Sequence, residues 1–180
     1  MPPRHPLLKI MPVPEIWLIS DARNDGALEQ ALKRLPRGSG LIFRHYHLPE
    51  PERRARFKQL RRLARQHGHR LVLSGTARQA RRWRADGAYG ADLARGPALL
   101  RLVTVHSLRE LRRARRADAV LLSPIFPTRS HPGGKVLGTL RWQSIAAHSP
   151  VPVIALGGMT ARRARQLNTP LWAGIDAFLR

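Results

Sequence analysis

The stretch Leu121–Gly138, LLSPIFPTRSHPGGKVLG, decides how this chain is read, together with Val151–Met159, VPVIALGGM. Each opens as a short apolar run and breaks at its C-terminal end into small and hydroxyl residues. These are Ser123, Thr128 and Ser130 in the first and Gly157 and Gly158 in the second. A run that is apolar throughout, rather than alternating, marks a parallel strand covered by helices on both faces. Glycines just past such a strand let backbone N–H groups approach an anion, and a helix start after them adds a favourable dipole. Thr160 follows the glycine pair where an N-cap would stand. The two stretches together predict a phosphate-binding rim at the C-terminal ends of parallel strands.

Outward from these stretches the same alternation continues. Short apolar runs occur at Ile16–Ser20, Gly40–Phe43, Leu71–Leu73, Leu102–Val105, Val120–Leu122, Val151–Ala155 and Gly174–Phe178, with a weaker one at Gly87–Tyr89. Helix-like segments lie between them: Asp25–Leu35, Glu50–Gln66, Thr76–Arg84, Ser107–Arg116, Thr139–Ala147 and Thr160–Leu167. In the second of these, Phe57, Leu60 and Leu63 fall on one side at helical spacing. Ser107, with Glu110 three residues on, has the form of a capping box.

Strands alternating with helices predict a parallel sheet, and eight strand candidates favour closure into a single (β/α)8 barrel. At 180 residues the chain is short for that fold, whose usual size is about 250 residues. It stops just after the eighth strand candidate, so a final helix is expected to be missing or supplied by a partner. Leu171, Trp172 and Phe178 would then form an apolar surface suited to a homodimer.

Composition bounds the rest. The expected organisation is a proline-rich N-terminal extension over residues 1–14 and one barrel domain over 15–180. The chain has no cysteine, which removes disulfides, thiol nucleophiles and cysteine metal sites. No apolar run approaches the roughly 18 residues that span a bilayer, and prolines interrupt any signal-peptide core at the N-terminus, so no membrane partner is expected and the compartment is the cytoplasm. The net charge is +22, and only four of the 33 basic residues are lysine. Arginines recur on the polar faces of the helix-like segments, which reads as solvated faces. No zinc-finger spacing, RNA-recognition motif or basic tail accompanies them, so nucleic acid is not the expected partner.

The order of these features resembles the thiamine phosphate synthase family, including its thiazole tautomerase branch. IWLISD (Ile16–Asp21), GLIFR (Gly40–Arg44), ADGAYGADL (Ala85–Leu93) and VTVHSLREL (Val103–Leu111) match family segments in order. SPIFPTRS (Ser123–Ser130) and VIALGGMT (Val153–Thr160) are the most specific matches. The resemblance implies a barrel of thiamine biosynthesis that joins a pyrimidine diphosphate to a thiazole phosphate, with Mg2+ helping pyrophosphate to leave. Carried over by position, Arg44 would face the pyrophosphate and Thr104 would offer a hydroxyl near it. Thr128, Ser130 and the backbone of Gly157 and Gly158 would hold the thiazole phosphate. His131 falls where the synthases have a lysine, a role it could serve only when protonated or as a donor.

The departures concern the metal and the catalytic set. The family's Asn-Asp pair after the third strand appears here as Ser74-Gly75, although a hard cation wants carboxylate oxygens. Asp92 lies near the place of a second acidic ligand but out of register. The family's Gln and Lys flanking the arginine appear as Ile42 and Tyr46. Pro124 stands where the tautomerase branch has a histidine, and DAFLR lacks the serine expected after the eighth strand. A catalytically decayed barrel, kept as a phosphate-ligand-binding or regulatory module, is therefore the alternative to a transferase, with nonspecific nucleic-acid binding through the arginine surface as a third reading behind it. Two further observations complete the reading. His106 is a candidate acid or base, with hydrogen bonding at a helix start as its simpler role. His45 and His47 would share a face of a strand, but with no acidic third ligand nearby in sequence they do not make a metal site.

Overall fold

The computed structural model describes residues 12–90, 99–130 and 132–179. Eight parallel strands close into a barrel: β1 (Ile16–Ile19), β2 (Gly40–Phe43), β3 (Arg70–Ser74), β4 (Gly87–Tyr89), β5 (Leu100–Val105), β6 (Ala119–Leu122), β7 (Val153–Ala155) and β8 (Trp172–Gly174). Each pairs in parallel with the next, and β8 returns to β1 through Ile16 beside Trp172, Trp17 beside Ala173 and Leu18 beside Gly174. Among the described residues six α-helices pack outside: α1 (Leu28–Arg34), α2 (Glu50–Gln66), α3 (Ala77–Trp83), α4 (Leu108–Arg113), α5 (Gly138–Ala147) and α6 (Ala161–Gln166).

The period of two along each strand sorts side chains into two layers. Trp17, Ile19, Ile42, Val72, Leu102, Leu121, Ile154 and Ala173 fill the barrel interior. Their neighbours point outward. Leu18, Leu41, Phe43, Leu71 and Leu73 pack under α1, α2 and α3, while Val120, Leu122 and Ala155 pack with Trp142, Ile145 and Ala164 of α5 and α6. Gly40 is a requirement of this packing. A Cβ there would stand 2.3 Å from the Trp17 ring, which closes the lower end of the barrel and donates its Nε1–H to the Pro14 carbonyl at 2.7 Å.

Three helix starts carry side-chain caps, two of which, Ser107 and Thr160, the sequence pattern indicates. Thr76, Ser107 and Thr160 each accept a backbone N–H from three residues on. Ser107 and Glu110 also bond to each other, and Glu110 accepts the His106 N–H at 2.9 Å. On α2 the buried face is Phe57, Leu60 and Ala64, with Leu63 only half-buried, and it includes Arg53. That guanidinium donates to the carbonyls of Arg44 at 2.9 Å and Ser74 at 2.7 Å, so a cation staples α2 to the upper ends of β2 and β3.

Five expectations are corrected. The eighth strand is Trp172–Gly174, not Gly174–Phe178, because Asp176–Phe178 turns into a 3-10 helix after Ala173 has taken its place against Trp17. Trp172 is consequently buried and stacked on Phe178 at 5.0 Å, and Leu171 is half-buried, which removes the apolar surface on which the homodimer expectation rested. The first helix begins at Leu28, because Asp21 caps a preceding 3-10 turn over Ala22–Ala27. Finally, β5 extends back to Leu100 and β7 begins only at Val153.

Candidate functional site

Above the last interior layer the strand alternation still sets direction. Arg44 follows Ile42, Thr104 follows Leu102 and Ser123 follows Leu121, each two residues on and therefore on the interior side of its strand. They reach an open cavity of about 1320 Å³ at the C-terminal end of the barrel. The structure brings six of the sequence-predicted residues to its wall: Arg44, Thr104, Thr128, Ser130, Gly157 and Gly158. His131 and Asp92 lie outside the described residues. The volume exceeds the roughly 300–1,000 Å³ of an ordinary ligand pocket, which leaves room for two small ligands side by side.

One wall is made from the two stretches that opened the sequence reading. The Ile125 N–H donates to the Leu156 carbonyl at 3.0 Å and the Phe126 N–H to the Gly157 carbonyl at 3.1 Å, so the loop after β6 lies along the turn after β7. Gly157 and Gly158 have φ of +96° and +62°, in the region glycine adopts without strain. A Cβ on Gly157 would meet the Pro124 Cα at 2.6 Å, and one on Gly158 the Pro127 carbonyl oxygen at 2.6 Å. Both glycines are thus demanded twice, by conformation and by close backbone approach. Among the described residues their N–H groups donate to no backbone carbonyl. Thr128 accepts the Ser130 N–H at 3.3 Å, closing a small turn, and its hydroxyl hydrogen is left to donate elsewhere.

The cavity is strongly positive. Arg44, Arg129, Lys135, Arg141 and Arg162 border it, against one carboxylate among the described residues, Asp176. That carboxylate already lies 3.8 Å from Arg23 and 3.9 Å from Arg129. Arg23 also donates to Ser130 Oγ at 3.0 Å and pairs with Asp21 at 2.9 Å, tying the loop after β1 to the loop after β6. Sequence reasoning missed Arg23, Arg129, Arg141 and Arg162. Arginine is so common in this chain that none of them stood out.

The opposite side, over β2 to β5, is closed by hydroxyl pairs. The Tyr46 hydroxyl bonds to Ser74 Oγ and the Tyr89 hydroxyl to Thr104 Oγ1. Burial pushes the Tyr89 phenol above its usual pKa, so it stays protonated and available as a donor. The Arg44 guanidinium lies over the Tyr46 ring at 5.7 Å, and the Arg44 backbone N–H donates to Ser20 Oγ at 2.8 Å. His106 also lines the cavity: its Nδ1 bonds to the Ser123 carbonyl just past β6 at 2.8 Å, while only its backbone N–H bonds at the start of α4, to Glu110.

A hard cation would need carboxylates here, and at the family's metal position Ser74 and Gly75 offer none. Asp176 has Oδ2 near two arginines and Oδ1 buried with no hydrogen-bond partner among the described residues, but one carboxylate amid so many cations does not supply the oxygen set a hard cation requires, so the described residues do not fit Mg2+. Elsewhere the structure corrects the sequence reading of the two histidines. Asp25, from the loop after β1, lies beside them, and its carboxylate and one ring nitrogen of each histidine fall within 4.8 Å of one another. The carboxylate is already engaged. It accepts from His45 Nε2 at 2.8 Å and from Arg56 Nε at 2.7 Å, while His45 Nδ1 bonds to Ser20 Oγ at 2.8 Å. Burial lowers the pKa of His45, so the neutral ring with Nε2–H toward Asp25 is favoured. For Asp25, burial alone would raise the pKa, but the bonds from His45 and Arg56 outweigh it and the carboxyl is held below its usual range.

Comparison with known proteins places this geometry. The family model for thiamine monophosphate synthase matches residues 16–177. A provisionally named thiamine-phosphate synthase 2 of Aquifex aeolicus is 28% identical over 163 residues, covering 83% of this chain and 88% of that protein. A thiamine-phosphate synthase of Anoxybacillus flavithermus is 42% identical over 80 residues, 42% of this chain and 36% of its own. Among solved structures, a thiamine phosphate pyrophosphorylase from Pyrococcus furiosus superposes with a TM-score of 0.74 at 23% identity, covering 91% of this chain and 86% of that one, a likeness of fold.

Proposed function

Because the chain belongs to the thiamine monophosphate synthase family, we propose that its cavity joins a pyrimidine diphosphate to a thiazole phosphate and releases pyrophosphate. The observation that carries this reading is the wall where Gly157 and Gly158 lie against the Thr128–Ser130 loop, facing a cavity that also holds Arg44. In it the thiazole phosphate is held by the Gly157 and Gly158 N–H groups and by the hydroxyls of Thr128 and Ser130. Arg44 faces the diphosphate from β2, and charge-assisted hydrogen bonds from its guanidinium would strengthen as negative charge builds on the leaving pyrophosphate. Thr104, with its hydroxyl shared with Tyr89, orients that end of the cavity. Arg129, Lys135, Arg141 and Arg162 supply the remaining positive charge. Since the described residues do not fit Mg2+, no step is routed through a metal.

The test is calorimetric titration with thiamine phosphate, which contains both rings and the thiazole-side phosphate. Saturable binding that Gly158→Asp abolishes supports the reading; absence of heat at millimolar ligand with a folded protein refutes it. A second reading rests on Ser74 and Gly75, which stand where the family carries its Asn-Asp pair, with the Ser74 hydroxyl bonded to Tyr46. In it the barrel binds the phosphorylated ligand without turning over. Binding of thiamine phosphate with no product from the two substrates would favour that reading.

A further inference from the structure

The cavity uses only part of the +22 charge, and the structure gathers another part elsewhere. On α2, Arg54, Lys58, Arg61 and Arg65 recur at intervals of four, three and four residues, one stripe about 16 Å long at 1.5 Å per residue. The stripe borders a groove of about 320 Å³ between α2 and the end of α3, where Arg54, Lys58, Arg61, Arg82 and Arg84 converge. The sequence presents these arginines as dispersed; the fold brings residues 54–65 and 82–84 to one place. Of these cations only Arg82 has an ion-pair partner among the described residues, Glu50 at the exposed start of α2. Arg61 is held in the groove by donating to the Trp83 carbonyl at 3.0 Å and the Arg84 carbonyl at 3.2 Å. After its burial, the repulsion of Arg65 and Arg84 is among the causes that lower its pKa. A site that concentrates unpaired like charges gains when an anion with matching spacing arrives.

We propose that this face binds the phosphodiester backbone of double-stranded nucleic acid without reading sequence. Three observations select that partner. The cations are mainly guanidinium groups, whose planar forks match phosphate oxygens. The stripe spans about half a turn of duplex, where both strands together present one charge per roughly 1.7 Å. The large hydrophobic side chains exposed among the described residues are Tyr46, Val136 and Leu140, none of them on this face, so it offers neither an aromatic platform for unpaired bases nor an apolar wedge for a lipid surface.

The experiment is fluorescence anisotropy with a labelled 20-base-pair duplex of mixed sequence, titrated between 50 and 200 mM salt. Five neutralised phosphates give a slope of log affinity against log salt of about −4.5, a loss of about 500-fold over that range. The variant carrying Arg54→Gln, Lys58→Gln, Arg65→Gln and Arg84→Gln should flatten the slope to about −1 and lose nearly all binding at 100 mM salt. A control of equal charge, with Arg109→Gln, Arg112→Gln, Arg115→Gln and Arg116→Gln on and after α4, should bind as the parent does. These are exposed positions and glutamine is a good helix former, so both variants should keep the parent far-UV spectrum. Equal loss in both variants would overturn the site in favour of diffuse charge. Absence of duplex binding at 50 mM salt, or binding to phosphatidylserine vesicles but not to duplex, would overturn the partner.

Discussion

Gly157→Ala tests the turn after β7 more sharply than any substitution of a polar residue. The added Cβ would meet the Pro124 Cα at 2.6 Å, the Pro124 Cβ at 2.7 Å and the Ile125 nitrogen at 2.9 Å. Two of these are backbone atoms, and the Ile125 nitrogen is itself fixed by its bond to Leu156, so relief requires the two loops to separate. Left-handed φ for a residue with a Cβ costs about 1–2 kcal/mol. Overpacking adds about 1–3 kcal/mol. Gly38→Ala separates the two effects, because Gly38 has φ +87° but nothing within 4 Å of its Cβ position. Differential scanning calorimetry should therefore show Gly157→Ala melting below Gly38→Ala by the overpacking alone, roughly 2–12 °C for a chain of this size. Thiamine phosphate affinity should fall in Gly157→Ala and hold in Gly38→Ala. Equal melting temperatures with unchanged ligand affinity would refute the claim that the two loops form one rigid wall.

Other expectations follow from single contacts. Thr128→Val should weaken thiamine phosphate by about 1–3 kcal/mol, roughly 5- to 150-fold, by calorimetry, if the hydroxyl serves a charged phosphate. Arg53→Ala leaves the Arg44 and Ser74 carbonyls without their donor and should cost about 2–4 kcal/mol in urea unfolding, with weaker binding at the Arg44 end. Stability should fall on acidification in two stages. His45 and His69 have pKa values lowered by burial, so the unfolded chain binds protons first, and stability drops as pH falls from about 6.5 to their lower folded values. Asp25 and Glu29 are held below their usual range in the folded state, so their contribution is present above about pH 4 and is lost as pH falls through the folded values. His45→Gln should flatten the upper stage in melts from pH 7 to pH 5.

Much of the barrel is legible in the sequence because parallel strands are apolar on both faces and stand out as runs. Val120–Leu122 and Gly40–Phe43 are read directly. The eighth strand is misplaced because Gly174–Phe178 is as apolar as Trp172–Gly174, and only pairing of Ala173 beside Trp17 decides between them. Helix starts at Ser107 and Thr160 are readable because capping is local. The glycine-hydroxyl wall of the cavity is legible for the same reason: Gly157 and Gly158 announce a tight turn, and Thr128 and Ser130 follow a broken strand. What the sequence conceals is long-range. Arg53 reads as one more solvated arginine, yet it is buried with its guanidinium over the Phe43 and Trp83 rings and bonded to the carbonyls of Arg44, just past β2, and Ser74, at the end of β3. Asp25 is 20 residues from His45, so their contact emerges only when β1 and β2 pair. Tyr46 appears in sequence only as a departure from the family and Tyr89 only as the end of a weak strand candidate, whereas the structure shows both closing hydroxyl pairs, with Ser74 and Thr104.

The account is tested most directly by supplying both substrates. The protein is incubated with the pyrimidine diphosphate and the thiazole phosphate, with Mg2+ in the buffer, and thiamine phosphate and pyrophosphate are quantified by chromatography. The account predicts both products in equal amounts, at a rate that Arg44→Ala and Gly158→Asp each reduce by at least about 100-fold, the scale of one lost charge-stabilising contact. Absence of both products with a folded parent protein would contradict it.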